Sequence, residues 1–165
     1  LDSSLNSYLN NEFITTFDEI TKAKIDTTTW KVGGFPSQIR TVRGIYPVEI
    51  KSSPSVNKKI GLMYAGDYMY AAPQDKWTLI GYKYNDASKD YSTATSVNWM
   101  YSADDEWTIS RHDGWADEAS FVDYSGKVVF GHTYSWYSVR PVFNLVSSVT
   151  YVSGDGTKNS PIRVN

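Results

Sequence analysis

The chain contains no cysteine. That one absence removes disulfides, thiolate metal sites, thiol nucleophiles and thiol redox centres together. Histidine is almost as scarce, with only His112 and His132. Concentrated positive charge is missing too: 16 basic residues stand against 18 acidic ones, the net charge is −2, and Lys58-Lys59 is the only basic doublet. The electrostatic footprint of a nucleic-acid or anionic-lipid partner is therefore lacking. No run approaches the roughly 18 apolar residues that a membrane span requires, so no membrane insertion is expected of this segment. No period of 20–50 residues repeats. The chain opens at Leu1 without a leader, and a leader or anchor processed off upstream is compatible with that opening.

Aromatic side chains are abundant instead. Thirteen Tyr, 6 Trp and 6 Phe make up 15% of the 165 residues. Such a length suits one domain with one core, and a core of that size needs no metal or disulfide to hold it. Tyr and Trp serve binding surfaces as well as cores, because each ring carries a large apolar area with a polar handle.

Apolar residues at Leu5, Tyr8, Leu9, Phe13, Phe17 and Ile20 are spaced by three and four, which predicts an amphipathic helix from Ser3 to about Ile20, capped by Ser3 or Ser4. From Thr28 to Val32 the pattern turns β-branched and aromatic until Gly33-Gly34 breaks it. Ile45 to Ile50 suggests a short strand, which Pro47 would confine to an edge. Lys51 to Lys59 reads as a polar loop, and Ile60 to Ala72 as a strand followed by a helix or as one buried segment. Asp75 to Asn98 reads as a long irregular region. Trp107 to Ile109 and Val139 to Leu145 read as strands. Ser120 to Tyr124 and Val128 to Phe130 flank Ser125-Gly126-Lys127 as a hairpin, and Gly154-Asp155-Gly156-Thr157 marks a second hairpin. One helix followed by many short strands argues an α+β fold, with a mainly antiparallel sheet and long loops, over the single domain 1–165.

Catalytic motifs fare poorly. Ser110-Arg111-His112-Asp113-Gly114 holds serine, histidine and aspartate only as sequence neighbours, and no Gly-x-Ser-x-Gly elbow exists, so a polar loop with a surface histidine explains it better. Asp104-Asp105-Glu106 and Asp117-Glu118 supply carboxylates, but Asp86 to Asp90 lacks the alternating acids of an EF-hand, and solvated turns account for all of them. Gly154 to Lys158 has neither P-loop spacing nor a following helix. No cofactor and no metal-ligating side chain is expected, and the sequence leaves open a structural calcium held partly by backbone carbonyls. The best functional pointer is the set Trp115, Tyr134, Trp136 and Tyr137, aromatic residues in segments read as loops, which either meet a ligand or fold back over the core.

Three stretches carry a resemblance. Ile60 to Ala72, with Gly61-Leu62-Met63-Tyr64-Ala65-Gly66-Asp67-Tyr68-Met69-Tyr70-Ala71 inside it, is similar to a helix motif of the sulfatase-modifying-factor group. Glu106-Trp107-Thr108 resembles that group's core strand, and Val139-Arg140-Pro141-Val142-Phe143-Asn144-Leu145 its closing strand. Glu106-Trp107-Thr108-Ile109-Ser110, the Val-Arg-Pro-Val-Phe strand and the Ser-Gly-Asp-Gly-Thr tail also resemble surface and prepilin-type proteins of Gram-positive bacteria. The resemblance implies a C-type-lectin-like fold, with the N-terminal helix packed on a twisted sheet, an extracellular or cell-surface location, and pairing of Arg140 with Glu106. It also subtracts the formylglycine-generating activity, which depends on cysteines absent here. The function expected is a non-catalytic, surface-displayed binding module, adhesin- or pilin-like. Trp115, Trp136 and Tyr137 would contact a carbohydrate or protein ligand, with His112 and Asp113 supplying hydrogen bonds. A structural subunit of a pilus-like fibre is the alternative, and a carbohydrate-active hydrolase comes third.

Overall fold

Four helices, α1 (Ser4–Asn11), α2 (Glu19–Lys24), α3 (Val42–Glu49) and α4 (Ala65–Tyr70), alternate with short strands in a computed structural model that describes residues 3–36, 42–76 and 95–165. The strands are β1 (Thr28–Lys31), β2 (Ser55–Lys58), β3 (Gly61–Leu62), β4 (Glu106–Arg111), β5 (Glu118–Val122), β6 (Val128–His132), β7 (Pro141–Val142), β8 (Tyr151–Ser153) and β9 (Arg163–Val164). Helices mix with small, antiparallel sheets, which makes the class α+β. The chain divides into two compact units, one of Leu1–Thr28, Lys58–Ile60 and Phe143–Asn165, the other of Thr29–Asn57 and Gly61–Val142.

In the first unit the expected N-terminal helix breaks in two. Ser3 caps α1 by accepting the Asn6 N–H at 3.1 Å. The helix then ends at Glu12, because Thr15 and Thr16 turn their hydroxyls back onto Glu12 O and Phe13 O, each at 2.7 Å, and hold Phe13–Thr16 as a 3-10 turn. Phe17 is extended, and Asp18 starts α2 afresh by accepting the Thr21 N–H at 2.8 Å. Leu9 is buried as expected, but Ile20, assigned to the same apolar face, is exposed on α2. The Asn10 side chain pairs with the Ile60 backbone as a strand would: it accepts from Ile60 N at 3.0 Å and donates to Ile60 O at 2.9 Å. Lys59 Nζ donates to Lys22 O at 2.9 Å and to Ile25 O, satisfying carbonyls at the end of α2. Phe17 packs edge-on between Phe13 (5.4 Å) and Phe143 (6.1 Å). β8 and β9 form the second expected hairpin, with Asp155 Oδ1 accepting Thr157 N at 3.0 Å in the turn.

The second unit holds the larger core, built from Phe35, Ile45, Met63, Tyr68, Met69, Met100, Val122 and Val128 with their neighbours. Residues Ile45 to Glu49, expected as an edge strand, are helical. Ile45 and Glu49 are both fully buried at i, i+4 spacing, with Val48 packed beside them, and that helical face prevails although Pro47 lies inside the helix. The expected loop Lys51–Lys59 contains β2, which pairs with β1. The strand-then-helix alternative holds for Ile60 to Ala72. Residues 77–94, most of the expected irregular region, lie outside the described residues.

The hairpin β5–β6 forms as expected, and β4 joins it in an antiparallel sheet of order β4-β5-β6. Asp123 shapes its turn, with Oδ1 accepting from Ser125 N and Lys127 N at 2.9 Å each and Gly126 at φ 84°. The expected strand Val139–Leu145 shrinks to Pro141–Val142, which pairs with β3 instead. Proline removes one ladder donor there. Trp107 N donates to Ser138 O at 3.0 Å, so the chain just before β7 borders β4.

Candidate functional site

The antiparallel order of β4, β5 and β6 brings the loop Asp113–Asp117, between β4 and β5, to the sheet end where Thr133–Ser138 leaves β6; that second segment then runs to Ser138, beside the start of β4. They are joined directly. Thr133 N donates to Asp117 O at 2.9 Å, and His132 Nδ1 lies 3.5 Å from Asp117 Oδ2.

The first loop is supported from beneath by His112. Expected at the surface, this histidine is buried, because the last pair of the hairpin places it over the core with its N–H on Glu118 O at 3.0 Å. Its ring packs on Phe130 (4.5 Å) and meets Trp115 edge-on at 6.5 Å. Nδ1 accepts the Gly114 N–H at 3.0 Å. Asp113 is exposed, with its backbone N–H directed to Phe35 O at 3.4 Å. Gly34 permits this approach: a Cβ there would stand 1.7 Å from Arg111 O, and its φ of 74° suits glycine.

In the second loop, display and anchoring alternate. Tyr134 is exposed and stacks on His132 with ring centres 5.0 Å apart and planes 10° apart. Trp136 is 99% exposed. Tyr137 turns inward and stacks on Phe121 at 4.3 Å, beside Trp107 at 4.7 Å. Gly131 leaves room for this stack, since a Cβ there would lie 2.8 Å from the Phe121 ring. Trp115, Trp136 and Tyr137 thus sit on linked loops, with no ring contact among the three within the described residues. His132, not singled out from sequence, belongs to the same end; its spacing of two from Tyr134 was the available signal.

The acidic residues are mostly engaged in the fold. Asp105 Oδ1 accepts from Tyr124 N at 2.8 Å, and Asp104 Oδ2 accepts from Ser138 Oγ. Glu106 is buried and paired with Arg140, as expected, at 2.7 Å. Glu49, which sequence reading passed over inside a supposed strand, is fully buried. It accepts from Ala65 N at 3.0 Å, Gly66 N at 2.8 Å and Ser110 Oγ. Burial pushes its pKa up to about 7, against the opposing pull of those three donors. No group of three or more His, Asp or Glu side chains placed to hold a metal ion occurs among the described residues. No helix among them is long and apolar enough to cross a membrane.

Comparison with protein-family models, curated proteins and solved structures finds no match to this chain.

Proposed function

We propose that this chain is a non-catalytic binding module displayed at a cell surface, and that it takes a carbohydrate or protein ligand on the aromatic rings around Trp136. The observation that carries the reading is the Trp136 indole, 99% exposed on a loop whose next residue, Tyr137, is anchored in packed aromatics. An indole left in water gains the free protein nothing, whereas on a supported loop it offers a rigid face to stack on a sugar ring or fill a partner's pocket. Trp115 and Tyr134, both exposed, stand on the two loops hydrogen-bonded at the same sheet end. Asp113 adds an acceptor there. His112, buried below, serves this reading by supporting Trp115.

A C-type-lectin-like fold belongs to the same proposal. Its support is the α+β class and the hydrogen bond that joins the two aromatic loops beside an antiparallel sheet. The structural engagement of Asp104, Asp105 and Glu106 favours binding over hydrolysis.

One observation favours a fibre subunit as the second reading. Tyr151, Val152, Ile162 and Val164, in and beside the two-stranded β8–β9 ribbon, are all exposed. A lone two-stranded ribbon is marginal in water and gains from a further strand.

Glycan-array and surface-protein panels probed with the wild type and Trp136→Ala test the first reading. Specific signals lost in the variant support it, and signals indifferent to both Trp136→Ala and Trp115→Ala overturn it. Concentration-dependent assembly abolished by Val152→Lys, with no ligand retained by the loop end, would favour the fibre.

A further inference from the structure

A groove beside α4 shares no lining residue with the aromatic loops. Its volume is about 350 Å³, and Met63, Asp67, Tyr70, Trp99, Met100 and Val142 line it. Sites for small ligands start at about this size. Met63 and Met100 are buried, which gives the floor of the groove a polarisable lining.

Two further features select a ligand class. Trp99 is 78% exposed and makes no ring contact among the described residues. Tyr70, which packs edge-on against Tyr46 at 5.3 Å, adds a second, partly exposed ring. Asp67 is the one charged residue of the lining among the described residues. Its Oδ2 accepts from Tyr64 N at 3.0 Å, and no ion pair engages the carboxylate among the described residues. The flanking protein partly desolvates it and raises its pKa.

An anion would be repelled here, and a neutral apolar ligand would strip more water from Asp67 without replacing it. A cation satisfies both walls, since an indole face and a carboxylate each attract positive charge, and its alkyl groups suit the methionines. We propose that the α4 groove is a binding site for a small alkylammonium ligand, its charge shared by the Asp67 carboxylate and the Trp99 ring. This site is independent of whatever the Trp136 loop binds.

The test is a titration of the whole chain with choline, and with 3,3-dimethylbutan-1-ol, which has the same shape without the charge, followed through the Met63 and Met100 methyl signals. Saturable shifts are expected with choline, with Kd on the order of millimolar. The alcohol should bind at least about 10-fold more weakly. Trp99→Leu, at an exposed position that keeps apolar bulk, should weaken choline about 5-fold. Asp67→Asn, which keeps an acceptor for Tyr64 N, should weaken it about 10-fold. Should Asp67→Asn disturb the fold, Trp99→Leu and the charge comparison still decide. Absence of saturable shifts, equal binding of the alcohol, or unchanged affinity in Trp99→Leu would each overturn the proposal.

Discussion

Arg140 reaches Glu106 with one nitrogen, Nη2, which donates to Oε2 at 2.7 Å and to Met100 O at 2.9 Å, while the other carboxylate oxygen, Oε1, is buried without a hydrogen bond. Ser102 Oγ adds a weaker donor to Oε2 at 3.2 Å. The buried charge therefore leans on a single strong partner. Removing that partner leaves an uncompensated carboxylate in the core, which is costlier than lacking the pair altogether. Arg140→Met should lower stability in urea titrations by about 3 kcal/mol. Arg140→Met with Glu106→Gln should lose less than the two single variants summed. A cost under about 1 kcal/mol for Arg140→Met would show that the pair is unimportant to folding.

Glu49 makes stability depend on pH. Its carboxyl has an ordinary value of 4.5 and about 7 in the folded chain, so the folded state holds the proton more tightly than the unfolded state does. The associated stability is fully present below about 4.5 and is lost as pH rises through about 7, a difference of about 3 kcal/mol. Glu49→Gln should flatten this part of the profile. Identical slopes between pH 4.5 and 7 in the two proteins would remove Glu49 as the cause.

Gly131 should not tolerate a methyl group. Gly131→Ala would drive a Cβ to 2.8 Å from the Phe121 ring and disturb its stack with Tyr137. The expected loss is about 1–3 kcal/mol, with a changed near-ultraviolet circular dichroism spectrum. An unaltered melting curve would mean that the ring moves aside freely.

Trp136 and Tyr137 should behave oppositely although they are neighbours. Trp136→Ala should change stability by no more than about 0.5 kcal/mol. Tyr137→Ala should cost about 2 kcal/mol, because it empties a half-buried aromatic stack. Thermal denaturation of both variants separates the roles, and equal losses would contradict the assignment.

The parts of the fold legible in the sequence are those governed by local signals. The hairpins at Ser125-Gly126-Lys127 and Gly154 to Thr157 follow from turn chemistry, and β1 and β4 from aromatic and β-branched runs. The Arg140–Glu106 pair followed from resemblance and from the need of an arginine in an apolar strand for a partner. What was missed required weighing competing signals. In α3, the short run Ile45 to Ile50 reads as a strand that Pro47 would confine to an edge, while Ile45, Val48 and Glu49 carry the helical spacing. In Ser3 to Ile20, the apolar period ran through a break set by Thr15, Thr16 and Asp18, whose side chains compete with the helix for backbone groups. His112 looked like a surface residue because its burial depends on Phe130, distant in sequence. The exposed aromatics of the loop end were found by composition and position. The α4 groove was not, because it joins Asp67 to Trp99 through tertiary packing alone.

The contrast between exposed Trp136 and inward-turned Tyr137 separates what faces water from what the backbone rests on. Residue 136 can therefore be exchanged for side chains of other size and chemistry while Tyr137 keeps the loop in place. Libraries randomised at 136 alone should yield mostly folded proteins.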